Sequence, residues 1–599
     1  MLTVSPFLHP GKFLLTTVII RLFRELRFCF GVVAGLLCFV SSVLAAPAPD
    51  IQIEGGSEQL RENIRQYLTI AEESCSAPLW RLKSLLIDAE AEIASASQAV
   101  GYYQLTYTSA LTQANNCWQL RIKLNPGDQA TISELHLDIR GDGAEDEYFQ
   151  ALLKVPDLHQ GDKLNHGTYE NFKNRISTLA ASRGYFDGHF DIARVVVNAA
   201  DNTAFVELVY NTGTRYKIGV IRMAHNILDE KFLKRYFNIS PGDFYDTDKL
   251  LELKSYYNAS NYFSVATATP DLQNLHDHLV DIDVQLEERK RFAYSAGLGV
   301  STDTGPRVLL GFENRYVNSA GHSLKIDASA STIKKTAQLA YTIPLSNPSY
   351  EFLKIYTGIE TEETDSTYSN KDTLGASYTN YQKDHWLHTY AINIENEDSR
   401  VAGKALYSHL LIPSVTVSRT QTDGSPYPLS GWNFLARLSG SPKTLGSDIS
   451  YEQLYLRGKY IHAFSYGRLL LRSEVGVTEV NDLGDLPASV RFFAGGGTSV
   501  RGYDYKSLGD IDPVNKEVIG GKNLWVNSIE YDYRFRSSWA IAAFYDIGNA
   551  SDNFNFDLKR GAGLGLRWIS PIGPVRIDIA KGLDQPKGWN LHISMGPDL

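Results

Sequence analysis

From about residue 291 onward, apolar and polar side chains alternate with a period of two. In RLLLRSEVGVTEV, Leu469, Leu471, Val475 and Val477 occupy one set of positions while Arg468, Arg472, Glu474 and Thr478 occupy the other. GPVRIDIA places Val575, Ile577 and Ile579 against Arg576 and Asp578, and WNLHISM places Trp589, Leu591, Ile593 and Met595 against Asn590, His592 and Ser594. Successive strand residues point to opposite faces, so each run has one apolar and one polar face. Aliphatics facing lipid and charges facing a wet lumen account for all three, as in a transmembrane antiparallel β-barrel. A soluble sandwich would bury the apolar face instead, and alternation by itself fits both. At about 10 residues per strand plus turns, the stretch holds roughly 14 to 18 strands, and sixteen is the expected number.

Upstream the period changes. In YENFKNRISTLAASRGY, Phe172, Ile176 and Leu179 share one helical face. An aromatic signature recurs in AVGYYQLTY, SRGYFDGHF and SNYFSVATA, whose Tyr102, Tyr185 and Tyr262 are 83 and then 77 residues apart. Each signature follows a helical stretch and precedes strand-like runs: CWQLRIKLNPGD, AFVELVYNTGT and HLVDIDVQLEER. That spacing is too long for a solenoid unit and suits three small α+β domains in series, at 47–126, 127–213 and 214–289, with the barrel at 290–599. The tyrosines read as core residues at helix-to-strand junctions.

Composition supports the barrel over a helical membrane protein. Only 43% of the 599 residues are hydrophobic, yet 34 are tyrosines suited to interfacial girdles. The net charge of -10 argues against nucleic acid as a partner. Lys12, Arg21, Arg24 and Arg27 precede the apolar run FCFGVVAGLLCFVSSVLAA, which reads as a signal peptide over residues 1–46; an uncleaved anchor is the alternative. Cys29 and Cys38 fall inside that segment. Cys75 and Cys117 remain, and in an exported chain such a pair predicts a disulfide, because two thiols without nearby histidines cannot complete a tetrahedral metal shell. Neither a metal site nor a cofactor is expected. GxSxG, HExxH and Walker sequences are lacking, and His189 and His225 stand alone, so no enzymatic grouping emerges.

Strand, two helices and two strands, three times over with this aromatic signature, resemble polypeptide-transport-associated (POTRA) domains of outer-membrane assembly factors. The barrel half carries FFAGGGTSVRGYDYKSLGD at 492–510, in which GGGTSVRGY is similar to the VRGY/F loop of that family. GLGVSTDTGPR, NSAGHSL, YTIPLSNP, GLRWISPIGPVRIDIA and the terminal GPDL extend the likeness over nearly the whole barrel, in the form of the family's TamA branch (translocation and assembly module). The resemblance implies a non-enzymatic insertase in the outer membrane of a Gram-negative bacterium, with its POTRA domains in the periplasm. Those domains would contact a TamB-like inner-membrane-anchored partner, and the clients would be unfolded outer-membrane proteins such as autotransporters, inserted into outer-membrane lipid. The alternative is a two-partner-type secretion pore, which shares the loop but normally carries two POTRA units; a barrel hydrolase is a third class.

The loop's chemistry follows from its residues as well. An arginine inside a lumen needs anions, since an unpaired buried charge costs several kcal/mol. Glu530 and Asp546 are the candidates: with a turn at 536–538, even positions face even positions, and both carboxylates point to one side. The family resemblance implies the same pairing for Arg501. Gly495, Gly496, Gly497 and Gly502 give the backbone freedom for a tucked loop around Val500, Arg501 and Tyr503, and Lys506 reads as a less consequential neighbour. An exposed loop with a solvated arginine is the plainer alternative. A lateral seam is expected between a first strand at 291–301, weakened by Gly297 and Gly299, and a last strand carrying Trp589, Leu591, Ile593 and Met595, cut short by Gly596 and Pro597. In a permanently closed barrel those glycines would merely relieve crowding.

Overall fold

The computed structural model describes residues 49–596 apart from 115–116, 225–226, 382–384, 426, 572 and 586–587. The segment read as a signal peptide, His225 and Pro597 lie outside the described residues.

A first compact unit reaches Tyr216 and contains two α+β domains. In the first, β1 (Asp50–Glu54), α1 (Glu58–Tyr67), α2 (Leu79–Ala99), β2 (Thr106–Ala114) and β3 (Cys117–Asn125) form a sheet in the order β1-β3-β2 under two helices. The Ser57 hydroxyl starts α1 by accepting from the Leu60 amide at 3.2 Å, and the buried face of that helix, Leu60 and Ile64, joins Leu120 and Ile122 in the core. Cys75 is bridged to Cys117, with their Cα atoms 4.4 Å apart. The second domain repeats the order with β4 (Thr131–Arg140), α3 (Glu147–Lys154), α4 (His166–Arg183), β5 (His189–Asn198) and β6 (Thr203–Asn211). Phe172 and Ile176 of α4 are buried and Leu179 packs beside them. The helix ends on Gly184, whose φ of 87° lets its amide return to the Ala180 carbonyl. Tyr185 is buried as expected. Its hydroxyl donates to Asp146 Oδ2 at 3.0 Å, and burial followed by the Asp146 carboxylate pushes its pKa up to about 12.

The second unit opens with a third such domain: β7 (Lys217–Met223), α5 (Glu230–Leu233), α6 (Thr247–Ala259), β8 (Phe263–Pro270) and β9 (Leu279–Glu288). A barrel follows. Its first strands are β10 (Phe292–Ser301), β11 (Gly305–Asn314), β12 (Ser323–Ser331), β13 (Lys334–Pro344), β14 (Glu351–Glu363) and β15 (Thr367–Tyr381). Next come β16 (Leu387–Val401), β17 (Lys404–Thr422), β18 (Gly431–Ser441), β19 (Tyr451–Phe464) and β20 (Gly467–Glu479). A small hairpin, β21 (Asp510–Ile511) with β22 (Val518–Gly520), interrupts the series before β23 (Asn523–Arg536), β24 (Trp539–Ser551), β25 (Lys559–Ser570), β26 (Gly573–Gly582) and β27 (Trp589–Met595). Sixteen strands pair in chain order from β10 to β27, leaving out the hairpin. Among the described residues no helix is long and apolar enough to cross a membrane. The alternation sorts as the period demands: Arg468 and Asp578 are buried, whereas Ile579 and Leu591 are 52% and 50% exposed on the outer face.

Tyr262 keeps its ring against Phe232 and Phe263 of its own domain's core, but its hydroxyl reaches out of that domain. Its hydroxyl donates 2.5 Å to the Gly321 carbonyl in the β11–β12 turn, within the segment NSAGHSL. Asp229 grips the same turn through its amide to the Ser319 carbonyl at 2.8 Å and its carboxylate to the Ser319 hydroxyl at 2.9 Å. Arg235 donates to the Pro344 and Leu345 carbonyls of the β13–β14 turn. Gly321, at φ 77°, lies under the Phe232 ring, where a Cβ would come within 2.4 Å of ring carbon. The third α+β domain is therefore built onto the turn side of the barrel from which β10 departs.

Candidate functional site

Between β20 and β23 the chain runs through residues 480–522 and folds back into the lumen. Val500, Arg501 and Tyr503 are at most 5% exposed. Gly502, at φ 91°, passes so close to β26 that a Cβ would sit 2.5 Å from the Gly582 amide nitrogen, and Gly561 on β25 makes room for the Arg501 carbonyl, which a Cβ there would meet at 1.9 Å. Gly495 and Gly496 also have positive φ, whereas Gly497 does not.

The Arg501 guanidinium is held on every side. Nε and Nη2 form a fork onto the two Asp546 oxygens at 2.8 and 3.0 Å, Nη1 reaches Glu530 Oε2 at 2.5 Å and Asp578 Oδ2 at 3.2 Å, and Nη2 donates to Ser528 Oγ at 3.3 Å. The Phe544 ring lies 3.4 Å from the guanidinium carbon. Register explains the convergence, because Ser528 pairs with Asp546 and Glu530 with Phe544, so all four share the lumen face. Arg567 closes the far side, donating to Glu530 Oε1 at 2.7 Å and Asp578 Oδ1 at 2.5 Å. Beyond it Arg468 donates to Asp532 at 2.9 Å beneath the Tyr427 ring. Three buried arginines thus face four buried carboxylates, each side neutralising much of what the other would cost.

Arg501, Glu530 and Asp546 are brought together at the positions singled out in the sequence. Asp578, Arg567 and Ser528 complete the cluster. The alternation of GPVRIDIA puts Asp578 on the lumen face, but it does not name Asp578, Arg567 or Ser528 as partners of Arg501. Lys506, read as less consequential than Arg501, also holds the loop. It pairs with Glu362 on β14 and lies 5.7 Å from the Phe493 ring, fixing the loop to the opposite wall.

The seam is sparsely bonded. The sheet begins at β10 and ends at β27 without a ladder between them. Among the described residues its backbone contact is the Thr302 amide to the Ile593 carbonyl at 3.4 Å, supported by the Ile593 amide to Thr302 Oγ1 at 3.1 Å. Trp589, Leu591 and Met595 point outward. Gly297 and Gly299 pair with Leu309 and Arg307 in a regular ladder, and a Cβ at Gly299 would make only ordinary contacts at 3.8 Å or more, so packing does not require glycine there. The loop bridges the seam from inside. The Gly497 amide donates to both Asp303 carboxylate oxygens at 3.0 Å beside β10, and the Gly502 amide donates to His592 Nε2 at 3.1 Å on β27.

A profile of the Omp85 superfamily domain matches residues 291–596. The chain belongs to the Omp85 superfamily. Profiles described as POTRA domain, TamA domain 1 and as POTRA, surface antigen variable number repeat match residues 50–126 and 216–289 of this Omp85 protein. It is 24% identical over 471 residues to the outer membrane protein assembly factor BamA of Nitratidesulfovibrio vulgaris, covering 74% of this chain and 58% of the relative. BamA of Buchnera aphidicola is 23% identical over 274 residues, 43% of each chain. The chain therefore spans well under two thirds of these relatives' length. The crystal structure of BamA from Haemophilus ducreyi lacking POTRA domains 1–3 superposes with a TM-score of 0.64 at 18% identity, over 78% of this chain and 98% of that one, and shares its fold. The barrel of this Omp85 protein is an outer-membrane barrel of a Gram-negative bacterium, and its POTRA domains are periplasmic.

Proposed function

We propose that this protein is a non-enzymatic outer-membrane insertase of the TamA type. Unfolded outer-membrane proteins, autotransporters among them, pair with the edge of β10 exposed at the seam and fold into lipid from there. A TamB-like inner-membrane-anchored protein joins through the POTRA domains. The observation that carries this reading is the barrel's unladdered junction, whose β10 and β27 sides are both tied to the inward loop. A client strand that replaces the few seam contacts exchanges one set of backbone hydrogen bonds for another and never exposes them to hydrocarbon. The match of residues 50–126 to a TamA-type first POTRA domain supports the branch, and three α+β domains rather than two favour an insertase over a two-partner secretion pore.

Paired cysteines, Thr302→Cys with Ile593→Cys, test the mechanism. Oxidation is expected to stop assembly of an autotransporter barrel in reconstituted vesicles, and reduction to restore it. A locked protein that assembles clients at the reduced rate would falsify lateral opening.

A further inference from the structure

On the outer wall, one register row crosses five neighbouring strands as Arg419, Phe434, Gly458, Ser473 and Asn527. Gly458 leaves a hole in that row, since nothing lies within 4 Å of where its Cβ would stand. The result is a groove of about 550 Å³ walled by Trp432, Phe434, Tyr460, Leu471, Ile529 and Tyr545. Tyr460, Leu471 and Ile529 are 47%, 39% and 48% exposed, so the groove opens toward lipid. Its volume falls within the range of ordinary ligand sites.

A cation adjoins the groove across Trp432. The Arg419 guanidinium lies beside a pair of touching indoles, 5.3 Å from Trp432 and 5.8 Å from Trp386, whose ring centroids are 6.1 Å apart. Its Nε is buried and finds no hydrogen-bond acceptor among the described residues. Arg419 sits three residues from the end of β17, and the turn that follows is on the same side as those gripped by the third POTRA domain, which is the periplasmic side. An arginine on the lipid face is expensive unless it meets an anion at the interface, and its planar fork matches phosphate.

We propose that this groove binds one molecule of an anionic glycerophospholipid from the periplasmic leaflet. Its phosphate accepts from Arg419 beside the two tryptophans, and one acyl chain lies over Gly458, with the small Ser473 keeping the floor low. The site is independent of client insertion and follows from the barrel's outer surface.

The test uses full-length protein refolded into phosphatidylcholine bilayers doped with phosphatidylglycerol, extracted into detergent and examined by native mass spectrometry. Wild type is expected to retain a single phosphatidylglycerol in preference to phosphatidylcholine. Arg419→Gln should lower that retention about tenfold, the scale of one charge-assisted hydrogen bond. Gly458→Leu fills the groove without a backbone clash and should abolish retention while heat-modifiability stays intact. Retention unchanged by both substitutions, equal retention of the two lipids, or a lipid-free dimer seated on this face would each overturn the proposal.

Discussion

Arg501 shows how a single residue sets a requirement that several strands must meet. Replacing it with alanine leaves Glu530 and Asp578 to Arg567 alone and Asp546 without a cation, and breaking a buried pair of this kind costs about 3–5 kcal/mol. Arg501→Ala is therefore expected to lower the temperature at which the barrel loses heat-modified mobility by far more than Lys404→Ala, whose pair with Asp512 is 3.7 Å long and whose side chain is 84% exposed. Equal shifts would reduce Arg501 to a surface cation. Arg501→Lys should recover little, since a point charge cannot fork onto Asp546 while reaching Glu530. Parity along β23 and β24 is enough to make Glu530 and Asp546 legible in the amino-acid sequence. Asp578 and Arg567 are not legible as partners, because their inclusion depends on registers that cross β25 and β26, which parity alone does not supply.

Among elements, the inward loop and the strand wall are fitted to each other through glycine. Gly561→Ala would drive a methyl into the Arg501 carbonyl, and overpacking of this sort costs about 1–3 kcal/mol. Faster limited proteolysis within 480–522, with the barrel still heat-modifiable, is the expected result; an unchanged cleavage rate would mean the loop can shift without cost. Gly561 carries no signal in the sequence, where it is one of many glycines in alternating strands. The first POTRA domain is easier to read. Its two cysteines bracket α2 and β2, and closing a loop of 42 residues contributes about 4 kcal/mol in the chain-entropy model. Cys75→Ser is expected to destabilise that domain by this order in denaturant, with native protein giving a single bridged peptide in nonreducing mass mapping; two free thiols would rule the bridge out. Strand number and helix faces follow from periodicity, whereas the docking of Tyr262 onto Gly321 does not, since a recurring aromatic looks the same whether it faces its own core or a neighbour.

At the scale of the molecule, the loop ties the barrel's first and last strands together from inside, so release of the loop and opening of the seam should be coupled. The two tethers differ in strength. Asp303 accepts the Gly497 amide on a carboxylate, an interaction worth about 1.5–3 kcal/mol, while His592 accepts the Gly502 amide at an imidazole nitrogen, worth about 0.5–1.5 kcal/mol. A two-state seam that loses the first should open roughly tenfold to a hundredfold more often, and one that loses the second no more than about tenfold. In planar bilayers, Asp303→Ala is thus expected to raise the frequency of large conductance steps above that of His592→Ala, with wild type lowest. Thr302→Cys with Ile593→Cys, oxidised in the Asp303→Ala background, should return the frequency to that of the locked wild type, which separates seam opening from conduction through a lumen emptied by the loop. If neither tether substitution changes the frequency while Arg501→Ala raises it, the wall cluster alone holds the loop and the seam opens independently of it.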